Sequence, residues 1–351
     1  LIQHAAVRLE HGLEAEAHRV IAFIASLLLD PAAGSRSRSA FIMRFQQTTG
    51  PLMAKAVEDT VFYRYNRLIA LNEVGAEPDE FGNAAEAFHA AMKRRAETWP
   101  YALSATSTHD TKRGEDARAR LAVLSEMPEE WAAAVSRWHE GAKELRRELP
   151  RGPAPSSSTE WLFYQALAGA WPTDLSLQDE GGLQELAERL VAFMTKALRE
   201  AKRQTSWTDQ NEPYEAAVEA YVRGVFSPER RSFLREIRAL IAAIEPAGIV
   251  NSLAQLALKL TLPGVPDIYQ GCELLDYSMV DPDNRRPVDF ALRRDLLEEV
   301  RKFSPAQAME RWREGLPKLW LTERLLQLLH KKPDLFSHGN YEAVDIVGDE
   351  A

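Results

Sequence analysis

A His-Asp pair followed by two basic residues is the part of the sequence whose residue types could carry acid-base or electrostatic chemistry. Residues 104–116 read SATSTHDTKRGED, so His109 and Asp110 closely precede Lys112 and Arg113. Imidazole and carboxylate groups are the side chains that enzymes use most for such chemistry. Taken alone, a His-Asp pair before a helix is more often a helix cap with a surface histidine than a catalytic element. The pair is therefore a candidate whose assignment depends on the elements around it.

The residues around the pair predict a strand, a loop and a helix in that order. Small and β-tolerant residues at 101–106 indicate a buried strand, and Gly114 ends the polar stretch that follows. Glu115 begins a helical pattern, because an acid suits the positive end of a helix and apolar residues then recur at helical spacing. Reactive groups in β/α barrels lie at the C-terminal ends of strands. The pair would occupy such a position.

Length and composition narrow the class of protein. The 351 residues, 45% of them hydrophobic, can bury one large core or two ordinary ones. A net charge of −9 argues against a nucleic-acid or anionic-membrane partner and favours a neutral or cationic one. A single cysteine, Cys272, excludes an internal disulfide and a cysteine metal cluster, which suits the cytoplasm. No apolar run reaches the roughly 20 residues of a membrane span. The chain begins with Leu1 rather than Met, which we take as a first indication of a fragment.

A second informative stretch, 41–66, combines charges with aromatic and amide side chains. Pro51 is expected in the first turn of a helix, and the charges that follow it would by default form a solvated helix face. The mixture also suits the apolar and hydroxylated faces of sugar rings. The candidate sugar contacts in this stretch are Lys55, Glu58, Asp59, Tyr63 and Arg64.

A third stretch, 262–290, begins as LPGVPDIYQGCEL and predicts a turn, a short buried strand and a polar exit that holds Tyr269 and Glu273. Asp283, Asn284 and Arg285 follow in a loop rich in charges. An EF-hand would need glycine and an acid where the chain has Arg286 and Leu292, so we exclude a calcium loop here. We predict neither a metal nor a cofactor.

The rest of the chain is predominantly helical in pattern. We expect Trp131 and Trp138, seven residues apart, to be core residues rather than a sugar platform. Residues 150–158 read as a loop, and Ser157 before Glu160 predicts a capping box and a helix start. The strands are too few to close a barrel within this chain.

Four separated segments, 41–66, 105–120, 196–207 and 262–290, resemble maltooligosyl trehalose synthases, members of the α-amylase superfamily, and occur in that family's order. Ala56 stands where the family usually has Gly, and Leu275 where it commonly has Trp. The resemblance implies a mainly α chain with a few strands, namely the C-terminal part of an α-amylase-type (β/α)8 barrel with large helical insertions. The barrel strands would lie near 101–106 and 265–270. The implied domains are a helical lead-in at 1–40, the barrel part at 41–305 with its insertion at about 114–245, and a helical connection leading into a β-domain at 306–351.

The resemblance also implies the chemistry. The reducing-end α-1,4 link of a maltooligosaccharide would be converted to an α,α-1,1 link by a retaining route, with the nucleophile and the acid/base upstream of the matched segments. Asp110, assisted by His109, would stabilise the transition state. The substrate-binding residues would be Lys55, Glu58, Asp59, Tyr63, Arg64, Lys112, Arg113, Tyr269, Glu273, Asp283, Asn284 and Arg285. The implied partners are the substrate, the missing N-terminal barrel half and, in the pathway, maltooligosyl trehalose trehalohydrolase. The isolated chain should be inactive.

Two other functions remain open on the sequence. A related α-glucan hydrolase or transglycosylase could use the same His-Asp and Pro-Gly motifs, although segments 41–66 and 196–207 disfavour it. A helical carbohydrate-binding or scaffold module without activity is the second. The reaction with a maltooligosaccharide would separate all three.

Overall fold

A computed structural model describes residues 15–29 and 35–344. The chain forms two compact units, Leu1–Asp59 and Thr60–Ala351. The domain boundaries expected near residues 40 and 305 stay predictions.

The first unit is helical. It contains α1 (Ala15–Leu29), α2 (Arg36–Met53) and a π-helix (Ala54–Glu58). Pro51 lies inside the last turn of α2 rather than in the first turn of a helix, so that expectation was wrong. Proline has no backbone N–H and its ring crowds the carbonyl four residues earlier, and here the chain continues with the wider hydrogen-bonding of a π-helix. The helix begins earlier than expected because the Ser35 hydroxyl accepts from the Arg38 N–H at 3.2 Å.

The second unit is also mainly helical, as the pattern predicted. Its α-helices are α3 (Ala85–Thr98), α4 (Glu115–Ala122), α5 (Pro128–Gly141), α6 (Ser157–Ala170), α7 (Glu180–Ala201), α8 (Glu212–Val225), α9 (Arg231–Thr261), α10 (Phe290–Val300), α11 (Pro305–Glu310), α12 (Leu316–Lys331) and α13 (Pro333–His338). Its strands are β1 (Leu103–Ser104), β2 (Arg147–Leu149), β3 (Gly152–Ala154) and β4 (Val265–Pro266). Residues 339–344 have no regular structure, and the rest of the expected β-domain start lies outside the described residues.

Strands β1 and β4 form a parallel pair, with Leu103 opposite Val265 and Ser104 opposite Pro266. Both predicted barrel strands are therefore present, although each is two residues long. The expectation that they are buried was wrong for this chain, because Leu103 and Val265 are exposed. Parallel pairing brings their carboxyl ends to the same edge of the sheet. The loops 105–114 and 267–289 leave from that edge.

The main core is built by helices α4 to α9. Trp131 and Trp138 are buried in it and meet edge to face at 5.6 Å between ring centroids, which confirms the core expectation. The helix expected near Glu160 is α6, but its N-cap is Ser156, whose hydroxyl accepts from the Thr159 N–H. Glu160 does not close a capping box, because its carboxylate instead accepts from the Tyr221 hydroxyl at 2.6 Å.

Helix α9 runs through the unit and packs against both α4 and α12. A Cβ at Gly248 would lie 2.9 Å from the Arg120 Cα, so the close approach of α9 to α4 requires glycine there. The stretch Pro228–Thr261 is long and apolar enough to cross a bilayer by length and composition, but here it serves as a core helix. A β2–β3 hairpin, Arg147 opposite Ala154, occupies part of the region expected to be a loop.

Candidate functional site

The loop with the His-Asp pair lies against the loop that follows β4. The Gly114 N–H donates to the Ser278 carbonyl at 2.9 Å, and Arg113 pairs with Met279 as an isolated antiparallel bridge. A Cβ at Gly114 would lie 2.5 Å from the Asp276 carbonyl oxygen, so only glycine permits this approach. The two segments that the sequence singled out are therefore joined at the carboxyl edge of β1 and β4.

Asp110 is presented to solvent beside a buried ammonium group. The Asp110 side chain is 51% exposed, whereas that of Lys112 is only 2% exposed, and the Lys112 Nζ lies 3.9 Å from the Asp110 Oδ1. A tight turn shapes the backbone here, since the Thr111 hydroxyl donates to the Thr108 carbonyl at 2.9 Å and the Asp110 N–H donates to the Thr108 hydroxyl at 3.2 Å. His109 is exposed at the same turn. The arrangement offers one carboxylate to a ligand on the solvent side.

Asn284 and Arg285 reach this loop through its backbone. The Asn284 side-chain amide donates to the His109 carbonyl at 3.1 Å and to the Thr108 carbonyl at 3.3 Å, and the Arg285 guanidinium donates to the His109 carbonyl at 3.3 Å. Both predicted substrate-binding residues thus lie at the candidate site, where they hold its backbone. Their contact with a substrate stays a prediction.

The other predicted residues of the third stretch are engaged in the loop itself. Asp283 accepts two hydrogen bonds from Arg189, at 2.8 and 2.9 Å, and one from the Met279 N–H at 2.7 Å. Burial alone would raise the pKa of Asp283, but its bonds to Arg189 outweigh burial and lower it. Glu273 pairs with Arg293 at 3.1 Å, and the Tyr269 carbonyl accepts from the Cys272 N–H at 3.0 Å. The sugar contacts of all three predicted residues remain untested.

Tyr63 and Arg64 belong to the second unit. Tyr63 is buried and packs with the main core. Arg64 lies at the C-terminus of α7, where its guanidinium donates to the Ala201 carbonyl at 2.5 Å and to the Lys202 carbonyl at 3.4 Å. Arginine at a helix C-terminus satisfies carbonyls that have no partner within the helix. Arg64 is therefore a helix cap, and its sugar contact stays a prediction.

Lys55, Glu58 and Asp59 belong to the first unit. Lys55 and Asp59 form an ion pair one turn apart, with the Lys55 side chain 76% exposed. Glu58 is half-buried at the end of the π-helix. This geometry fits the solvated helix face that was the default interpretation, and the predicted sugar contacts stay predictions.

A carboxylate that sequence reasoning missed, Glu73, holds the backbone after Asp110. Its oxygens accept from the Lys112 N–H at 2.8 Å and from the Arg113 N–H at 3.3 Å. The Arg113 side chain is buried and donates to the Asn72 carbonyl at 3.2 Å. Burial lowers the pKa of Arg113 to about 10, although the nearby Glu73 carboxylate favours the charged form. Nothing in the sequence marks Glu73, since it lies in an irregular turn some forty positions before its partners.

A buried ionic cluster lies beneath the site at the start of α4. The Lys318 ammonium contacts Glu115 Oε1 and Asp116 Oδ2 at 2.6 Å each, and Lys259 lies 3.4 Å from Glu115 Oε2. Asp116 also accepts from the Asp276 N–H at 2.6 Å. The sequence identified the two acids only as residues suited to a helix N-terminus. A lysine within the apolar pattern of α12 was the signal that could have revealed the cluster.

The pKa values of the two acids in the cluster are shifted in opposite directions. Burial would raise the pKa of Glu115, but the attraction of Lys318 and Lys259 outweighs it and lowers the pKa to about 2. Burial dominates for Asp116 and raises its pKa, against the attraction of Lys318. Attraction to these acids raises the pKa of Lys318 in spite of its burial. The cluster therefore ties α4, α9 and α12 together below the loop and presents no group to solvent.

The site can stabilise developing positive charge through Asp110, and its acids do not form a metal centre. Among residues 15–29 and 35–344, no group of three or more His, Cys, Asp or Glu side chains could hold a metal ion. A polar cavity of about 480 Å³ is lined by Arg189, Asp283 and Asn284, among others. Neither His109 nor Asp110 lines it. The exposed carboxylate, rather than this cavity, is the candidate chemical group.

The curated relatives and the solved structures that match the chain carry one family name. No family model matches the sequence. The chain is 38% identical over 309 residues to a protein of Mycobacterium tuberculosis (strain CDC 1551 / Oshkosh) named as a maltooligosyl trehalose synthase, which covers 88% of this chain and 36% of that protein. The structure of the maltooligosyltrehalose synthase from Arthrobacter ramosus matches with a TM-score of 0.77 at 36% identity, over 95% of this chain and 40% of that one. A crystal structure of a maltooligosyl trehalose synthase matches with a TM-score of 0.77 at 30% identity, over 99% of this chain and 49% of that one.

These matches confirm the predicted fold class, the C-terminal part of an amylase-type enzyme with large helical insertions. The chain spans between 36% and 49% of the length of the relatives above and corresponds to a partial, C-terminal region of them.

Proposed function

Because the chain belongs to the maltooligosyl trehalose synthase family, we propose that it forms part of an enzyme that converts the reducing-end α-1,4 link of a maltooligosaccharide to an α,α-1,1 link. The observation that carries the proposal is the half-exposed Asp110 carboxylate at the carboxyl end of β1, in a chain 38% identical to a protein named as such a synthase. The Lys112 ammonium supplies a positive charge 3.9 Å from one of its oxygens.

The stereochemistry of the reaction defines what Asp110 would do. Both the broken and the formed bond are α, which suits a retaining route through a covalent glycosyl-enzyme. One carboxylate attacks, a second donates and then accepts a proton, and positive charge develops on the sugar between them. Asp110 is the group that would stabilise this charge, and His109 would assist at the same turn.

The nucleophile and the acid/base are assigned to residues outside this chain. The motif residues that resemble the family place its stabilising carboxylate, Asp110, in this chain, and the chain spans less than half of its relatives. A stabilising carboxylate cannot replace a nucleophile and a proton donor. The 351-residue chain alone is therefore expected to lack mutase and hydrolase activity.

Transfer rather than hydrolysis requires that the released glucose stays bound while it turns. The acceptor side must then exclude water until the anomeric hydroxyl of the glucose attacks the intermediate. Lys112, whose ammonium lies 3.9 Å from the Asp110 carboxylate, is the acceptor-side residue of the second unit that we include in the proposal. We also propose that the enzyme acts in the cytoplasm. Its product would there be a substrate for maltooligosyl trehalose trehalohydrolase.

The test uses a polypeptide that contains these residues together with the remaining barrel strands. Incubation with maltopentaose should remove reducing ends without an equivalent release of glucose. Asp110→Asn should lower kcat by about 100-fold or more with little change in KM, because a charge directed at a developing cation acts mainly in the transition state. Asp295→Asn, which removes an exposed carboxylate on α10, should behave as the wild type. Glucose release as the main reaction would favour an α-glucan hydrolase, and binding without turnover would favour a carbohydrate-binding module.

A further inference from the structure

The Glu73 carboxylate accepts hydrogen bonds from four donors that surround the candidate catalytic loop. Besides the Lys112 and Arg113 amides, it accepts from Arg118 Nη1 at 2.9 Å and from the Val74 N–H at 2.9 Å. Its side chain is only 14% exposed. All four lone-pair sites of a carboxylate are thus engaged, and two of them hold backbone amides two and three residues after Asp110.

We propose that Glu73 is a positioning residue that fixes the Asp110 carboxylate for catalysis. Glu73 fixes the backbone of Lys112, and the Lys112 Nζ lies 3.9 Å from the Asp110 Oδ1. The role of this contact in catalysis rests on the proposed function. The hydrogen bonds that Glu73 accepts from its four donors, which we call the Glu73 clamp, do not depend on it. Glu73 contacts no reacting group and acts through the loop.

The clamp is anchored on both sides. Arg118 on α4 holds Glu73 and also donates to the Arg113 carbonyl at 2.7 Å, so the carboxylate cannot swing away without breaking a second contact. On the other side, Asn284 holds the carbonyls of Thr108 and His109. Glu73 fixes amide groups and Asn284 fixes carbonyl groups, with Asp110 between them. A group held in this way pays little reorganisation cost when charge develops.

Only a carboxylate satisfies this set of donors. The Lys112 and Val74 amides share Oε1 of Glu73, and the Arg113 amide and the Arg118 guanidinium share Oε2. Glutamine has one acceptor oxygen, so its NH₂ group would face one of these two pairs of donors. Loss of the Glu73 charge would also remove the nearest counter-charge of the buried Arg113 side chain. Aspartate would keep the charge but is shorter by one methylene. Glu73→Gln should therefore disturb the loop more than Glu73→Asp.

The first arm of the test measures amide hydrogen exchange in the 351-residue chain. Glu73→Gln should speed exchange of the Lys112 amide, the Arg113 amide or both by about 10-fold or more, because one of the two oxygens that accept from them is replaced by an NH₂ group, while α7 and α8 stay protected. Glu77→Gln, which changes an exposed carboxylate in the next turn, is the matched control and should leave this segment protected. If Glu73→Gln fails to fold, Arg118→Lys is used instead, since it loosens the anchor of Glu73 and keeps the charge. Unchanged exchange at Lys112 and Arg113 would overturn the proposal.

The second arm measures kinetics in the polypeptide that carries the remaining barrel strands. Glu73→Gln should lower kcat by about 10-fold or more with KM within about 2-fold, since misplacement of Asp110 weakens transition-state binding alone. Glu73→Asp should fall between Gln and wild type. Faster amide exchange with unchanged kcat would show that the clamp does not position a catalytic group, and would overturn the proposal. If the wild type itself lacks mutase activity, the proposed function fails, and the exchange experiment still decides whether Glu73 holds the loop.

Discussion

Acidic residues six positions apart in this chain serve opposite purposes. Asp110 is half-exposed with an ammonium behind it, whereas Asp116 is fully buried and satisfied by Lys318, Ser252 and the Asp276 amide. A fully buried acid whose hydrogen-bond donors come from the protein itself is not accessible to a ligand. The difference lies in the partners, because the residue type is the same.

A first prediction at the residue scale concerns Lys318. Lys318→Met should lower the free energy of unfolding at pH 7 by about 3 to 5 kcal/mol, because it leaves buried carboxylates without their main counter-charge. Lys331→Met, an exposed position on the same helix α12, is the matched control and should change stability by less than about 0.5 kcal/mol. Urea unfolding followed by circular dichroism measures both. Equal stabilities would show that the cluster contributes nothing.

The cost of Lys318→Met should also shrink as the pH falls from 7 toward 4. In the wild type, the folded pKa of Glu115 is about 2, below its ordinary value of 4.5, so its contribution is present above 4.5 and is lost as the pH falls toward 2. In the variant, Lys259 remains, but without Lys318 burial is less opposed, so the pKa of Glu115 is higher than in the wild type and less stability is lost on acidification. Both effects reduce the difference in unfolding free energy between the wild type and Lys318→Met as the pH falls. A difference that widens toward pH 4 would contradict this assignment of charges.

At the scale of elements, sequence patterns predicted those features that depend on residues close together in the chain. The strand, loop and helix around Asp110, the start of α4 at Glu115 and the core position of Trp131 followed from periodicity and helix-end preferences. Of two failures, one was local and the other depended on tertiary contacts. Helix α2 continues through Pro51, and the β2–β3 hairpin forms in a region rich in proline and glycine because both strands pack against α8.

At the candidate site, too, the residues in sequence motifs were predicted and their distant partners were not. The sequence identified Asp110 and the loop after β4, which carry motif residues, but it missed Glu73, Lys259 and Lys318. These partners lie far from the site along the chain, so that only the folded structure brings them to it. Arg64 was predicted as a sugar contact. The sequence did not show its position at the end of α7, because Ala201 is also far from it along the chain.

A prediction at the scale of elements concerns Arg64 as the cap of α7. Arg64→Met should lower the free energy of unfolding by about 1 to 2 kcal/mol, because two carbonyls at the C-terminus of α7 lose a charged donor. Arg67→Met, an exposed arginine three residues later, is the matched control and should have little effect. Thermal unfolding of both variants measures the difference. If Arg64→Met is as stable as wild type but raises the share of substrate released as glucose, the arginine serves the acceptor pocket instead.

At the scale of the whole molecule, the pair of barrel strands is open to further pairing. Leu103 on β1 is 75% exposed and Val265 on β4 is 42% exposed, with the large side chains of Trp99 and Tyr101 exposed close by in the chain. Apolar side chains on a short parallel pair are unusual at a free surface, since parallel sheets are normally covered on both faces. The relatives, of which this chain spans less than half, contain the additional length that a complete barrel would need.

This surface predicts how the chain behaves alone and with the rest of a barrel. The 351-residue chain should self-associate at micromolar concentration, because an open strand pair with exposed apolar residues is a template for pairing. Leu103→Lys should reduce the association seen by sedimentation velocity, whereas Val250→Lys, at an exposed apolar position on α9, should not. A separate chain carrying the remaining barrel strands should compete with self-association, form a one-to-one complex and restore mutase activity toward maltopentaose. The same complex with Leu103→Lys should form less readily, because the charge would be buried against the added strands. Clear mutase activity from the 351-residue chain alone would show that the nucleophile and the acid/base lie within it, and would overturn the assignment of Asp110 as one part of a site completed by other residues.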